Sequence, residues 1–455
     1  MPIAAIRHVL VVSFSVSAGF MCRAEEPFVL DEPATDSRVK LIATEVHTSG
    51  KVYTAIGGGK TAEHALDAVA AFRYRERRLP PGGRDARALR ALREMELASL
   101  VTRVADHETR VELPSNLQLI VVRGEREGCQ SFCPESPMTR ESVDLLELPG
   151  DPLALTALLP RTTVDAGAEW KPPEWAPQML ATIEAVDKLE MTCRLASADA
   201  AAARVEFTGR VTGQRQGANT EVDITGHLVF DRLQRLIVSA TAKYVIKTSI
   251  GATTPGIDAT VDVTVDRSLS PSPGRLKDTL AESIPLEPPP QLQDLVFNAE
   301  PWGVRLAHDR NWHLFQSLLE GTLRVVILRL MDRGNLICQC NISPVASVSP
   351  GQATPPEQFE ADVRQALGKR LLQVESREQI PAGDGGTILR VLTSGEIELA
   401  GENGTVKLPM NWIYYLCTDT SGKQVSFVFS VEPAYLEALA GRDLAMVKSL
   451  RFVKR

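Results

Sequence analysis

The residues Ile56-Gly57-Gly58-Gly59-Lys60-Thr61 come closest in type to phosphate chemistry. A phosphate-cradling loop requires G-x-x-x-x-G-K-[ST], so that successive backbone amides surround the phosphates and the lysine reaches them. Counting back from Gly59, Lys60 and Thr61, the first glycine belongs at position 54, where Thr54 stands. The residues that follow alternate rather than wind. Leu66, Ala68, Ala70, Phe72 and Tyr74 share one side, while Asp67, Arg73, Arg75 and Arg77 share the other, which is the period of a strand. The stretch reads as a glycine turn between two strands, and nucleotide binding is not expected.

Other reactive residue types are scattered. Six cysteines follow Cys22: Cys129, Cys133, Cys193, Cys338, Cys340 and Cys417. Cys338 and Cys340 lie two apart in an expected strand, so they share a face and cannot bond to each other without distortion. With Cys417 they are expected to be buried thiols. A bridge within Cys129-Gln-Ser-Phe-Cys133 would need a turn there. A zinc site would need a second close ligand pair, and no histidine pair has finger spacing, so neither metal nor cofactor is expected. His308 and His313 flank Asp309 but lack an evident third partner, which makes them packing or surface histidines. No G-x-S-x-G or H-E-x-x-H motif is present, so no catalytic residue is assigned. Trp170 and Trp175, around Lys171-Pro172-Pro173-Glu174, are candidates for an aromatic lip over a ligand; the competing role is to pin a loop to a sheet.

The chain start bears on all of this. Arg7 and His8 precede an apolar run from Val9 to Met21, and Cys22-Arg23-Ala24 supplies small residues at the −3 and −1 positions. This is the grammar of a secretory signal over 1–24, cleaved after Ala24, with lipidation at Cys22 or an uncleaved anchor as alternatives. The run is short for a membrane span, and no later segment is long and apolar enough, so no integral span is expected after cleavage. Loss of Arg7 and Arg23 takes the formal charge from −7 to −9. No cluster of Lys and Arg interleaved with aromatics stands out, so nucleic acid is not an expected partner. The protein is expected outside the cytoplasm, periplasmic or extracellular.

Patterned segments must position whatever site exists. Residues 25–37 read as a disordered mature N-terminus. Residues 38–268 read as a β-rich α+β domain, a curved antiparallel sheet or two related sheets with helices. Val222, Ile224, Gly226, Leu228 and Phe230 alternate with polar neighbours, and Leu236, Val238, Ala240 and Ala242 alternate back after Asp231-Arg232-Leu233-Gln234, an antiparallel hairpin with one buried face. Residues 85–97 and 174–189 read as helices. Prolines crowd 269–293, which reads as a linker. Residues 294–455 read as a second α+β domain, with a hairpin about Asp332-Arg333-Gly334, a helix begun by Pro355-Pro356, strands joined by Thr420-Ser421-Gly422-Lys423, and a final helix.

In that last unit the run from Trp302-Gly303-Val304-Arg305 through Leu336–Pro344, the helix ending Ala366-Leu367-Gly368-Lys369, Trp412–Phe429 and Ala445–Phe452 resembles the photosystem II extrinsic subunit P family and its bacterial envelope relatives. The resemblance implies an antiparallel sheet with helices on its faces and a non-catalytic binding or assembly role. The first unit, through residues 136–173 and 248–265, is similar to exported bacterial proteins of unknown function. The resulting expectation is an exported, non-catalytic binding or assembly protein of the cell envelope. Its partner would be a lipid, an apolar peptide or an envelope protein, with an apolar ligand held in the first unit. The alternatives are a secreted hydrolase with a site assembled from scattered residues and a purely structural envelope protein. Which of these holds depends on where the side chains meet.

Overall fold

The computed structural model describes residues 28–453 apart from 34, 58, 59, 84, 148, 161, 286, 384, 402 and 403, so the expected signal segment 1–24 and Cys22 lie outside the described residues. The first part of the chain forms β1 (Phe28–Val29), β2 (Lys40–Gly57), β3 (Lys60–Arg78), β4 (Arg90–Val104), β5 (His107–Glu112), β6 (Leu119–Glu125) and β7 (Gly128–Phe132). Short helices α1 (Arg140–Leu146), α2 (Pro152–Leu155) and α3 (Trp175–Ala181) follow, with β8 (Thr163–Val164) and β9 (Glu169–Trp170) between the last two. Then come β10 (Ala185–Ala198), β11 (Ala202–Arg215), β12 (Ala218–Asp231), β13 (Leu236–Thr248) and β14 (Gly256–Leu269). Twelve of these strands make one sheet in the order β7-β6-β4-β3-β2-β14-β13-β12-β11-β10-β9, with β5 added beside β4. Every pairing is antiparallel, and β2 joins β3 as a hairpin with Gly57 opposite Lys60. Gly57 and Lys60 thus end paired strands, and Gly58 and Gly59 lie outside the described residues.

One face of this sheet is covered by the helical segment between β7 and β10. Leu153, Ala154, Leu158, Ala176 and Leu180 are buried in one core with the inward residues of β3, β11 and β12, among them Phe72, Val205 and Phe230. The alternation in β3, β12 and β13 sets which side chains point inward.

The expectation of an α+β fold is corrected here: the chain is mainly antiparallel β, and its helices are short. Residues 85–97, rich in Ala, Leu, Arg and Glu, supply most of the correction, because they form a 3-10 turn and then β4 rather than a helix. Helix propensity separates ordinary residues by at most about 0.7 kcal/mol each. Here it is overridden by ladders to β3 and β6 on either side, with Ala91 and Leu92 both fully buried on opposite faces. The helix expected over 174–189 stops at Ala181, where Thr182 turns left-handed, and β10 takes over.

Two segments expected to be loose are packed. In 25–37, Phe28 and Val29 pair with β8, and Leu30 is fully buried. In 269–293, α4 (Asp278–Ser283) and α5 (Pro290–Gln293) form, and Leu276 is buried against Leu79, Leu92 and Val121 on the face of the sheet opposite the helical segment. Arg77 donates to the Leu276 carbonyl at 3.0 Å and Arg90 to the Pro285 carbonyl at 2.6 Å. Proline kept this segment out of the sheet but did not keep it off the surface.

The remaining chain forms β15 (Leu295–Ala299), β16 (Val304–His308), β17 (Trp312–Leu318), β18 (Val325–Asp332), β19 (Asn335–Val345), α6 (Pro356–Leu367), β20 (Leu371–Pro381), β21 (Thr387–Gly401), β22 (Gly404–Thr418), β23 (Gln424–Val431), α7 (Leu436–Leu439), α8 (Arg442–Ser449) and β24 (Arg451–Phe452). A seven-stranded antiparallel sheet runs β17-β18-β19-β23-β22-β21-β20, beside a small sheet β15-β16-β24. The hairpin between β18 and β19 turns through Arg333 and Gly334, both at positive φ. Trp312, Tyr415, Phe427 and Phe429 fill one side of the larger sheet. On the other side Phe359, Val363 and Leu367 of α6 meet Val391 and Trp412. Cys338 and Cys340 are buried thiols on the same face of β19, and Cys417 is buried on β22.

Candidate functional site

Two features of the first sheet could do chemistry, and they lie at opposite ends of its inner face. The first is a cluster of buried charges. Arg93 on β4 makes a two-pronged contact with Asp151, at 2.8 and 2.6 Å, and donates to Glu76 on β3 at 2.9 Å. Arg267 on β14 grips Glu32 in the same two-pronged way, at 2.9 and 2.7 Å. Arg78 lies 3.5 Å from Glu76, and Lys40 lies 3.2 Å from Asp36 and 3.7 Å from Glu32. Four cations therefore face four carboxylates. Burial would raise the Glu32 carboxyl, but the Arg267 guanidinium, with Arg78 and Lys40, outweighs it and holds it down to about 2. Asp151 is lowered on the same balance, burial opposed by Arg93. Lys40 and Glu76 are completely buried. A hydrolytic site needs titratable groups that a substrate can reach; these groups are committed to one another inside the core.

The second feature is a cavity of about 300 Å³. Its walls are inward residues of adjacent strands: Val46 and Thr48 of β2, Leu66, Ala68 and Ala70 of β3, and Ala259 and Val261 of β14. Leu100 of β4, Ile246 of β13 and Pro149 also line it. The hollow has a simple origin. Ala70 lies opposite Val46 and Ala68 opposite Thr48, so small side chains face each other where the far end of the same strands carries Phe72, Tyr74 and Arg78. Pro149 is held over the cavity by Gly150, whose φ is +74° and where a Cβ would sit 2.6 Å from the Tyr244 hydroxyl oxygen. Asp151, next in the chain, caps α2 by accepting from the Leu153 amide at 2.8 Å and also holds Arg93. One short loop thus ties the hollow end to the charged end.

An adjoining cavity of about 360 Å³ shares Leu100, Gln216 and Thr254 with the first. It reaches Arg140, Glu141 and Asp144 of α1 and His313 and Leu314 of β17. Arg140 is committed here: it donates to the Trp312 carbonyl at 3.1 Å and to the carbonyl of Arg310. Arg310 in turn donates to the Ser131 carbonyl at 2.8 Å and the Gln293 carbonyl at 2.9 Å. Nearby, His308 is buried with Nδ1 2.8 Å from the Asp309 carbonyl. Burial pushes His308 down to about 4, and burial with the charge of Arg140 pushes His313 down to about 3. Both imidazoles are therefore neutral at ordinary pH. Among the described residues no group of three or more His, Cys, Asp or Glu is placed to hold a metal ion.

Of the residues singled out by sequence, Trp170 donates Nε1–H to the Leu158 carbonyl at 2.9 Å and Trp175 is buried in the core of the first sheet. Neither lines the two cavities. The residues that do line them carry no motif. The available signal was the run of small residues at the inward positions of β3, visible in the same alternation that marked the strand.

Fold and cavity define a class: a mainly antiparallel β protein with an apolar chamber built into its largest sheet. No protein-family model matches the chain, and no curated protein matches it by sequence. Among solved structures, the chain is similar to cyanobacterial PsbP (CyanoP) from Synechocystis sp. PCC 6803, at 17% identity over 35% of this chain and 92% of that one, with a TM-score of 0.26. Lipovitellin matches at 7% identity over 52% of this chain and 26% of its own, with a TM-score of 0.30. The outer membrane protein OprD from Pseudomonas aeruginosa matches at 8% identity over 89% and 97%, with a TM-score of 0.13. The likeness to the subunit P family is weak and confined to fold, and no activity or partner follows from any of the three. Among the described residues no helix is long and apolar enough to cross a membrane.

Proposed function

We propose that this chain is an exported, non-catalytic binding protein of the cell envelope that holds an apolar ligand in the cavity of its first sheet. The residues 294–455 are, on this reading, a subunit P-like module attached to the binding unit. The observation that carries the proposal is the cavity itself: aliphatic side chains from β2, β3, β13 and β14 surround it. Apolar surface moved from water into such a site gains about 25 cal/mol per Å². A volume near 300 Å³ is at the lower end of the range that ligand pockets occupy, about 300–1,000 Å³. The buried charges argue against a hydrolase, since each acid is already paired with an arginine or lysine inside the core.

The test is mass spectrometry of the full chain purified from its native envelope, under native and then denaturing conditions. An apolar small molecule should be carried by the folded protein and released on denaturation, and Ala68→Trp, which fills the cavity, should carry none. A bare wild-type mass in repeated preparations, together with no uptake of added apolar compounds, would overturn the reading. N-terminal sequencing of the same material should begin at Glu25.

A further inference from the structure

The apolar cavity has one polar rim. Arg215 ends β11, Gln216 turns the chain at φ +49° toward β12, and Thr254 stands in the turn between β13 and β14. All three line the cavity, and Gln216 and Thr254 also line the adjoining one. Their backbones are occupied. The Gln216 amide donates to Glu184 Oε1 at 3.1 Å, and its carbonyl accepts from the Thr253 hydroxyl at 3.2 Å. Their side chains are not. The Thr254 hydroxyl is buried with no hydrogen-bond partner. Among the described residues the Arg215 guanidinium and the Gln216 side-chain amide make no hydrogen bond or ion pair. Arg215 acts on Asp144 and Glu184 only through its field.

Buried polar groups in folded proteins nearly always have partners. The Thr254 hydroxyl is buried and lacks one, and the half-exposed Arg215 and Gln216 side chains beside it have protons to donate to an acceptor supplied from outside the chain. Arg215 is the cation in the lining of the apolar cavity, with Glu184 and Asp144 within its field but not paired with it, while Arg140 next door is spent on carbonyls. Resting on the binding reading above, we infer that the ligand is a single-chain amphiphile ending in a carboxylate. Its chain lies among Val46, Leu66, Ala68, Ala259 and Val261, and its carboxylate accepts from Arg215, Gln216 and Thr254. A guanidinium paired with a carboxylate out of bulk water makes one of the stronger hydrogen bonds available to a protein. The cavity's size has room for one chain rather than two. Glu141 and Asp144 in the adjoining cavity set the opposing expectation, because a cationic headgroup would turn toward them.

Displacement of a fluorescent apolar probe from the full chain, with decanoate, decanol and decylamine each below its micelle concentration, decides between these. Decanoate should bind about tenfold or more tighter than decanol, and decylamine weakest. Arg215→Gln should bring decanoate down to the level of decanol and leave decanol where it was, which also reports that the variant is folded. Arg215→Lys should keep a preference for decanoate, and Arg204→Gln, on the solvent side of β11, should change nothing. Equal binding of decanoate and decanol by the wild type, or tighter binding of decylamine, would overturn the carboxylate assignment while the apolar cavity stood. Failure of the probe and of all three compounds to bind would remove the binding reading and this inference together.

Discussion

At one end of β2, β3 and β14 the inward side chains are Lys40, Glu76, Arg78 and Arg267; toward the other end of the same strands they are Thr48, Ala68 and Ala259. The alternation continues from one end to the other, but the charged end is buried while Thr48, Leu66 and Ala68 are half-exposed. The difference is volume and charge. Long charged side chains reach one another and fill the space they enclose, at the cost of leaving water. Small ones do not fill the space, so a hollow remains. The comparison teaches that a single strand pattern can build a filled, charged end and a hollow, apolar end, with side-chain size as the variable.

The charged end should be the less forgiving. Removing one partner from a buried ion pair leaves the other unpaired, at about 3–5 kcal/mol. Arg93→Met, which strands Asp151 and leaves Glu76 with Arg78 alone, should lower stability by about that amount in urea titration. A loss within about 1 kcal/mol would mean that the network contributes little.

The same substitution at the two ends sharpens the contrast. Ala203 of β11 is buried in the filled part of the core, across from Phe230. Ala203→Leu should overpack it and cost about 1–3 kcal/mol. Ala68→Leu points into the hollow and should change stability by less than about 0.5 kcal/mol while reducing uptake of apolar compounds. Equal costs at both positions would mean that the hollow is filled in solution.

A smaller effect, spread over a range of pH, separates the histidines from the carboxylates. The unfolded chain protonates His308 near 6.5, whereas the folded protein keeps it neutral until about 4. Its contribution to stability should therefore be full above pH 6.5 and fall as the pH drops toward 4. Glu32 runs from 4.5 down to about 2, so its contribution is full above 4.5 and is lost as the pH falls through 2. Thermal melts should show a first decline between pH 6.5 and 4 that His308→Gln reduces, and a second below 4.5 that it leaves in place. A single decline below 4.5 in both proteins would contradict the buried neutral imidazole.

Much of the strand content was legible in the sequence. The alternations in residues 66–77, 222–230 and 236–242 became β3, β12 and β13, with the inward faces expected except at the start of β13, where a bulge turns Ile237 rather than Val238 into the core. Residues 85–97 were misread because their composition favours a helix, while the structure uses them as a strand buried on both faces, where the two-residue period disappears. The same blindness hid Leu276 and Leu30, since a buried leucine amid prolines or at a chain start carries no periodic signal. The cavity was invisible for a different reason. It arises from what four separate strands lack at matching depth, and sequence shows each strand's residues but not their register across the sheet. Trp170 drew attention by type, yet its indole is spent on the Leu158 carbonyl.

The central claim is that the small-residue end of the first sheet is a binding chamber and the charged end is not. Methyl NMR of the full chain with labelled alanines, titrated with decanol, addresses it directly. The methyls of Ala68, Ala70 and Ala259 should shift and show contacts to the decyl chain, while those of Ala157 and Ala203, buried in the filled core, should stay where they are. Unmoved signals from all five, or shifts at Ala157 and Ala203 without any at Ala68 and Ala70, would contradict the account.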